Sequence, residues 1–182
     1  MRIGVNIDDT ICRTTEKVQE YLEKHSQKLG INPLDIMNDE ILKEEFFNAY
    51  QDEIYQNTEI KRNAAEVLKR LRSKGNEIYV ITSRRTSPKE NAKSIFDITE
   101  EWLKNHDIEV DAIISSAYGE TRADVCKKYN IDLMIEDDPY NYKKIISSGK
   151  KCVLFDDREK LLLKDDYVSN WIELEKYIER NR

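Results

Sequence analysis

Short apolar runs that stop abruptly at polar or acidic residues, with a charged helix-prone segment between one run and the next, set the narrowest limits on how this chain folds. Ile3–Ile7 runs into Asp8-Asp9-Thr10, Ile78–Ile81 into Thr82-Ser83-Arg84-Arg85, and Leu133–Ile135 into Glu136-Asp137-Asp138. Apolar runs without alternation suit strands covered on both faces. Strands of that kind alternating with helices define an α/β fold with a parallel sheet between two helical layers. Two further strands are expected at Ala112–Ser115 and Cys152–Phe155, the second being the last of the sheet.

Helices are expected at Ala64–Lys74, with Gly75 as its stop, and at Pro88–His106, Thr121–Tyr129, Tyr142–Ser147 and Trp171–Ile178. The segment from Thr14 to Lys61 breaks the alternation. It is long and charged, with Val18, Tyr21 and Leu22 at helical spacing and Ile41, Phe46, Phe47, Tyr50 and Ile54 more loosely so. Asn32-Pro33 separates two helices there. The division expected is an α/β core of residues 1–13 and 61–182, with a helical cap, 14–60, inserted after the first strand.

Of 182 residues 36% are charged, and the net charge is −6. Mean hydropathy is −0.75. No apolar run approaches the roughly 20 residues that span a bilayer, and the N-terminus enters a strand at once, unlike a signal peptide. Cys12, Cys126 and Cys152 have no metal-type spacing, and an odd count suits a reducing compartment, so the cytoplasm is expected. The acidic balance disfavours a nucleic-acid polymer as partner. It leaves room for a phosphorylated small molecule, because a bound cation supplies positive charge locally.

In an open parallel sheet ligands bind beyond the carboxyl ends of the strands, where strand order reverses. The clusters at Asn6–Thr10, Thr82-Ser83 and Glu136-Asp137 therefore converge on one place. Carboxylates gathered there repel one another unless a cation lies among them. One or two carboxylates, a backbone carbonyl and waters suit Mg²⁺, and a small hydroxyl beside them suits a phosphate oxygen. One acidic pair alone is more often a helix cap or a turn. Three such strand ends together are what point to a metal-assisted phosphate site.

As an ordered set these segments resemble the haloacid dehalogenase superfamily. Its first motif, a strand ending Asp-x-Asp-x-Thr, is matched by IGVNIDDT, its second by IYVITS, its third by Arg122 in GETRADVCKKYNI, and its fourth by LMIEDD. The phrase ITSRR…IEDDPYN and the small cap are similar to the 5′(3′)-deoxyribonucleotidase-like group. The resemblance implies a Rossmann-like core and Mg²⁺-dependent phosphoryl transfer through an aspartyl-phosphate. It makes Asp8 the general acid and base, fixed by Thr10, with its carbonyl on the metal. Thr82, Ser83 and Arg122 become phosphate or substrate ligands, and Asn6, Asp8, Glu136 and Asp137 the metal ligands. The substrate implied is a small phosphomonoester such as a nucleoside monophosphate.

Two positions depart from that pattern. Asn6 stands where the nucleophilic aspartate belongs, and an amide oxygen is a far poorer nucleophile, though it can still coordinate Mg²⁺. Arg122 replaces lysine, a planar fork in place of a point charge. The asparagine is open to three explanations: an engineered trap, a natural loss that leaves a phosphate- or nucleotide-binding regulatory protein, or hydrolysis driven directly by Asp8 or Asp9. Arg84 and Arg85 are candidates for a second anionic group on the substrate, against the plainer reading of both as surface arginines. Tyr21, Phe46, Phe47, Tyr50 and Tyr55 are candidates for stacking on a base, against the plainer reading as cap core. His25 and His106 are expected to be exposed, Cys12 to be a packing residue, and Trp171 to pack the last helix on the sheet edge.

Overall fold

Residues whose side chains alternate between two apolar layers belong in the middle of a sheet, and Arg2–Asn6 (β1) is built that way. In a computed structural model, which describes residues 1–90, 92–116, 119–157 and 167–181, Ile3 and Val5 enter one core and Gly4 faces the other. The remaining strands are β2 (Glu77–Thr82), β3 (Ala112–Ser115), β4 (Leu133–Glu136), β5 (Lys151–Phe155) and β6 (Tyr167–Val168). All pairings are parallel, in the order β3-β2-β1-β4-β5-β6. Strand order thus reverses between β1 and β4, the switch point at which such sheets open a crevice.

One face carries α4 (Ala64–Ser73), α5 (Ile95–Asn105) and α8 (Trp171–Arg180). Their Val67, Leu68, Leu71, Trp102, Leu103, Trp171 and Leu174 pack on Ile3, Val5, Ile78, Val80 and Ile135. The other face carries α6 (Arg122–Lys128) and α7 (Pro139–Ser147), whose Val125, Cys126, Tyr142 and Ile145 meet Ile81, Met134 and Leu154. The fold is the expected α/β, with helices on both faces of a parallel sheet. A Cβ on Gly4 would lie 2.8 Å from Met134 Sδ and 2.9 Å from Ile81 Cδ1, so any side chain here would have to push those two aside.

Between β1 and α4 lie α1 (Thr14–Leu29), α2 (Pro33–Asn38) and α3 (Glu40–Asn57), with a buried cluster of their own: Leu22, Ile36, Phe46 and Ile54. The segments leading into and out of this block are paired. Arg13 N donates to Glu59 O at 2.8 Å and Lys61 N to Ile11 O at 2.8 Å.

Several local expectations are corrected. The helix expected from Pro88 starts at Ile95, where the Ser94 hydroxyl caps Phe96 N. The apolar period (Ile95, Ile98, Trp102) begins only there. In the long charged segment Asn32-Pro33 separates α1 from α2 as expected, and a further break follows where Asp39 caps Ile41 N and Leu42 N and opens α3 afresh. Ile41, expected inward, is 69% exposed as a result. β5 is not the last strand, since Tyr167–Val168 adds β6 along its edge. His25 and His106 are half-buried: His25 Nδ1 lies 3.2 Å from Tyr50 Oη, and His106 stacks on Trp102.

Candidate functional site

β1 delivers Asn6 to the switch point, and the loop beyond it turns sharply. Ile7 O accepts from Ile11 N at 2.9 Å and Cys12 N at 3.1 Å, and Asp9 has a left-handed backbone at φ 55°. Aspartate tolerates that region better than most residues, and here its carboxylate accepts Thr15 N at 3.0 Å and the Thr15 hydroxyl. The loop is therefore tied to the first turn of α1. It is also pinned from behind, where Trp171 Nε1 donates to Thr10 O at 3.1 Å. Trp171 is thus a buried anchor of this loop as well as a packing residue.

β4 runs level with β1, Val5 opposite Ile135, so Glu136 and Asp137 emerge beside Asn6. Asn6 Nδ2 donates to Asp8 O at 2.8 Å and to Asp137 Oδ1 at 2.5 Å. Its Oδ1, buried, has no hydrogen-bond partner among the described residues. The Thr10 hydroxyl reaches Asp137 Oδ1 at 3.4 Å, not Asp8. The expectation that Thr10 fixes Asp8 is corrected: the group that does so is Thr14, whose Oγ1 donates to Asp8 Oδ1 at 2.6 Å. A threonine at the start of a helix reads as ordinary in sequence, so nothing there singles it out.

Arg84 changes character most. Read as a surface arginine, it is buried, with Nε 3.0 and 3.1 Å from the two oxygens of Asp8 and Nη2 2.7 Å from Oδ1. The Tyr55 ring lies over the guanidinium at 4.3 Å, a cation–π contact that burial strengthens. Burial, with the Asp8 charge adding to it, pushes the Tyr55 phenol up to about 12. Arg84 therefore clamps Asp8 through Nε and Nη2, while its buried Nη1 has no hydrogen-bond partner among the described residues. Arg85 is exposed.

Arg122 and Glu136 are likewise turned on each other. Arg122 Nη1 lies 3.1 Å from Glu136 Oε2, off line for a hydrogen bond, and donates to Ile81 O at 3.0 Å. Glu136 is fully buried, and burial raises its carboxyl above the ordinary range while Arg122 opposes the rise. Burial pushes Asp137 up to about 6, against the hydrogen bond from Asn6. Thr82 is buried at the end of β2, its Oγ1 accepting Arg84 N at 3.1 Å, whereas Ser83 is exposed. Cys12 is buried with its thiol pushed up to about 12 by desolvation, which fits a packing role.

The groups that could hold a cation are Asp137, the Asp8 carbonyl and, through its amide oxygen, Asn6, whose Nδ2 faces the other two. Such oxygen donors suit a hard cation. Glu136, expected as a ligand, is engaged with Arg122. Among the described residues no three His, Cys, Asp or Glu side chains group as a metal site, since two of these donors are an amide and a carbonyl. Of the aromatics considered for base stacking, Tyr21, Phe46, Phe47 and Tyr50 pack with one another inside the α1–α3 block. Tyr55 alone of the five covers Arg84.

The architecture is that of the haloacid dehalogenase-like hydrolases. Similar solved structures include a haloacid dehalogenase-like hydrolase from Streptococcus pneumoniae (TM-score 0.73, 13% identity, 97% of each chain). A predicted phosphatase from Clostridium acetobutylicum (0.72, 14%, 98% of each) and a putative phosphoglycolate phosphatase from Lactobacillus delbrueckii (0.69, 12%, 97% of each) are similar too. No curated protein matches the chain. The pattern of the family described as "5' nucleotidase, deoxy (Pyrimidine), cytosolic type C protein" matches residues 1–182, and the chain belongs to that family.

Proposed function

We propose that this site handles small phosphomonoesters, such as nucleoside monophosphates, with Mg²⁺, and that residues 14–60 form a cap over it. The observation that carries the proposal is the meeting of Asn6, the Asp8 carbonyl and Asp137 at the β1/β4 switch point. Asn6 through its amide oxygen, Asp8 through its carbonyl, and Asp137 would hold the cation, which when bound neutralises charge on the transferring phosphoryl group. The chain's own groups do the rest. Asp8, fixed by Arg84 and Thr14, carries a proton to or from the ester and water oxygens. Thr82, the residue after Asn6's partner on β2, would meet a phosphate oxygen. Arg122 keeps positive charge beside the site, tethered by Glu136. Three buried, unpaired cysteines support a cytoplasmic setting.

Asn6 stands at the position where the family resemblance puts a nucleophilic aspartate, and an amide does not form the acyl-phosphate. The test is a broad phosphomonoester panel with Mg²⁺, run on this protein and on Asn6→Asp. Turnover by the aspartate variant is expected; its failure on every substrate removes the reading's support.

A second reading, a non-catalytic phosphate-binding protein, is favoured by the Asn6 amide being engaged as a donor. Calorimetry with nucleoside monophosphates and Mg²⁺ separates the two. Binding without turnover, by this protein and the aspartate variant alike, supports the second; failure to bind any phosphate counts against it.

A further inference from the structure

The Asn6 amide offers its two N–H bonds to two acceptors, Asp8 O at 2.8 Å and Asp137 Oδ1 at 2.5 Å. Turned over, it would set its own oxygen against those two oxygens with no proton between them. The donor-inward orientation is therefore fixed by its surroundings, even at the cost of a buried Oδ1 without a partner among the described residues. A cation at the same place needs the opposite, an oxygen from residue 6 facing inward. Amide and cation thus compete for the same two oxygens.

We propose that the Asn6 amide is an internal stand-in for the divalent cation. In the metal-free protein it ties the end of β1 to the end of β4, and a cation enters only as the amide turns over and brings Oδ1 to Asp8 O and Asp137. An aspartate at position 6 has no donor for this task. It sets a second carboxylate against Asp137 in the metal-free state, so a bound cation stabilises that variant more than it does this protein. This rests on the proposed placement of the cation, but not on turnover.

The test compares this protein with Asn6→Asp, both stripped with a chelator, by thermal unfolding and by calorimetric titration with MgCl₂. The stripped Asn6 protein is expected to unfold at the higher temperature. Saturating Mg²⁺ is expected to raise the variant's midpoint further than its own. The variant is expected to bind Mg²⁺ tighter by about tenfold or more, because ligand charge sets affinity at such sites. Equal midpoints without metal, or Mg²⁺ binding to the Asn6 protein as tight as to the variant, overturn the proposal. A variant that folds only with Mg²⁺ supports it.

If the variant folds under neither condition, the unaltered protein decides by NMR. The Asn6 side-chain NH₂ pair is expected to exchange slowly with solvent in the chelated state, then to shift and lose protection as Mg²⁺ binds. Fast exchange without metal, or a pair unmoved while calorimetry shows binding, overturns the proposal. Failure of the phosphatase reading shows instead as absent turnover by the folded, Mg²⁺-loaded variant, and no substrate enters the metal-free comparison.

Discussion

Arg84 grips Asp8 with both Nε and Nη2, joining the end of β2 to the loop after β1 across 76 positions of sequence. Tyr55 of α3 closes over the guanidinium, so three separate elements meet on a single charge pair. Asp8 is accordingly held in one orientation, to which Thr14 of α1 and Tyr55 of α3 both contribute.

Replacing Arg84 with alanine strips Asp8 of its partner and Tyr55 of the group beneath it. A loss of roughly 3 kcal/mol is expected, the low end for breaking a buried pair. The low end applies because the Asp8 side chain stays 26% exposed. Arg84→Lys should recover only part, having no fork to span two oxygens. Urea midpoints at constant m measure both, and an unchanged midpoint for the alanine variant contradicts the account.

Arg122 and Glu136 are the more deeply buried pair, at 7% and 0% side-chain exposure. Arg122→Met leaves a carboxylate in the sheet layer with its cation gone, at a cost of about 3–5 kcal/mol. Adding Glu136→Gln removes the stranded charge, so the double variant should be more stable than Arg122→Met alone. A double-mutant cycle reads the coupling directly, and additive effects would show the two groups to be independent.

At Gly4 the question is room. Gly4→Ala drives a methyl against Met134 Sδ and Ile81 Cδ1, and overpacking of that kind costs about 1–3 kcal/mol. Both neighbours are ends of flexible side chains, so the low half of that range is expected. Chemical denaturation gives the value; a stabilised variant would mean the second core has slack.

Arg70 of α4 clamps Glu175 of α8 with hydrogen bonds from Nε at 2.9 Å and Nη2 at 2.7 Å, and this holds the Glu175 carboxyl below its usual 4.5. A depressed carboxyl contributes stability that is whole above the unfolded value and disappears as pH falls through the folded one. Melting temperature should therefore fall below about pH 4.5 less steeply in Glu175→Gln than in the parent. Parallel acid limbs for the two proteins would show that the clamp contributes nothing.

Strands were the most legible part of the chain, because buried parallel strands must be apolar throughout and their ends must not be. The helix start at Pro88 misled because proline is a start signal wherever it occurs, whereas the apolar stripe that a helix needs begins seven residues later at Ile95. β6 left no signal, being two residues that gain their pairing from the edge of β5.

At the site, residue types and their meeting point could be read, since topology alone brings strand ends together. Pairing could not. Arg84 and Arg122 are each a cation following a strand or opening a helix, and only three dimensions show that each is turned on a carboxylate of the same site. Thr14 and Tyr55 act through that geometry and carry no motif of their own.

The hydrogen bond from Trp171 to Thr10 O spans 161 positions and fastens the loop that carries Asp8. During synthesis β1 emerges early but must wait for β4 and then for α8 before that loop has its backing, and contacts of such long sequence range form slowly. A chain cut short before Trp171 would hold nearly every residue of the site and yet lack the anchor that sets them. The crevice at the β1/β4 switch point is thus complete only once the last helix of the described chain has packed.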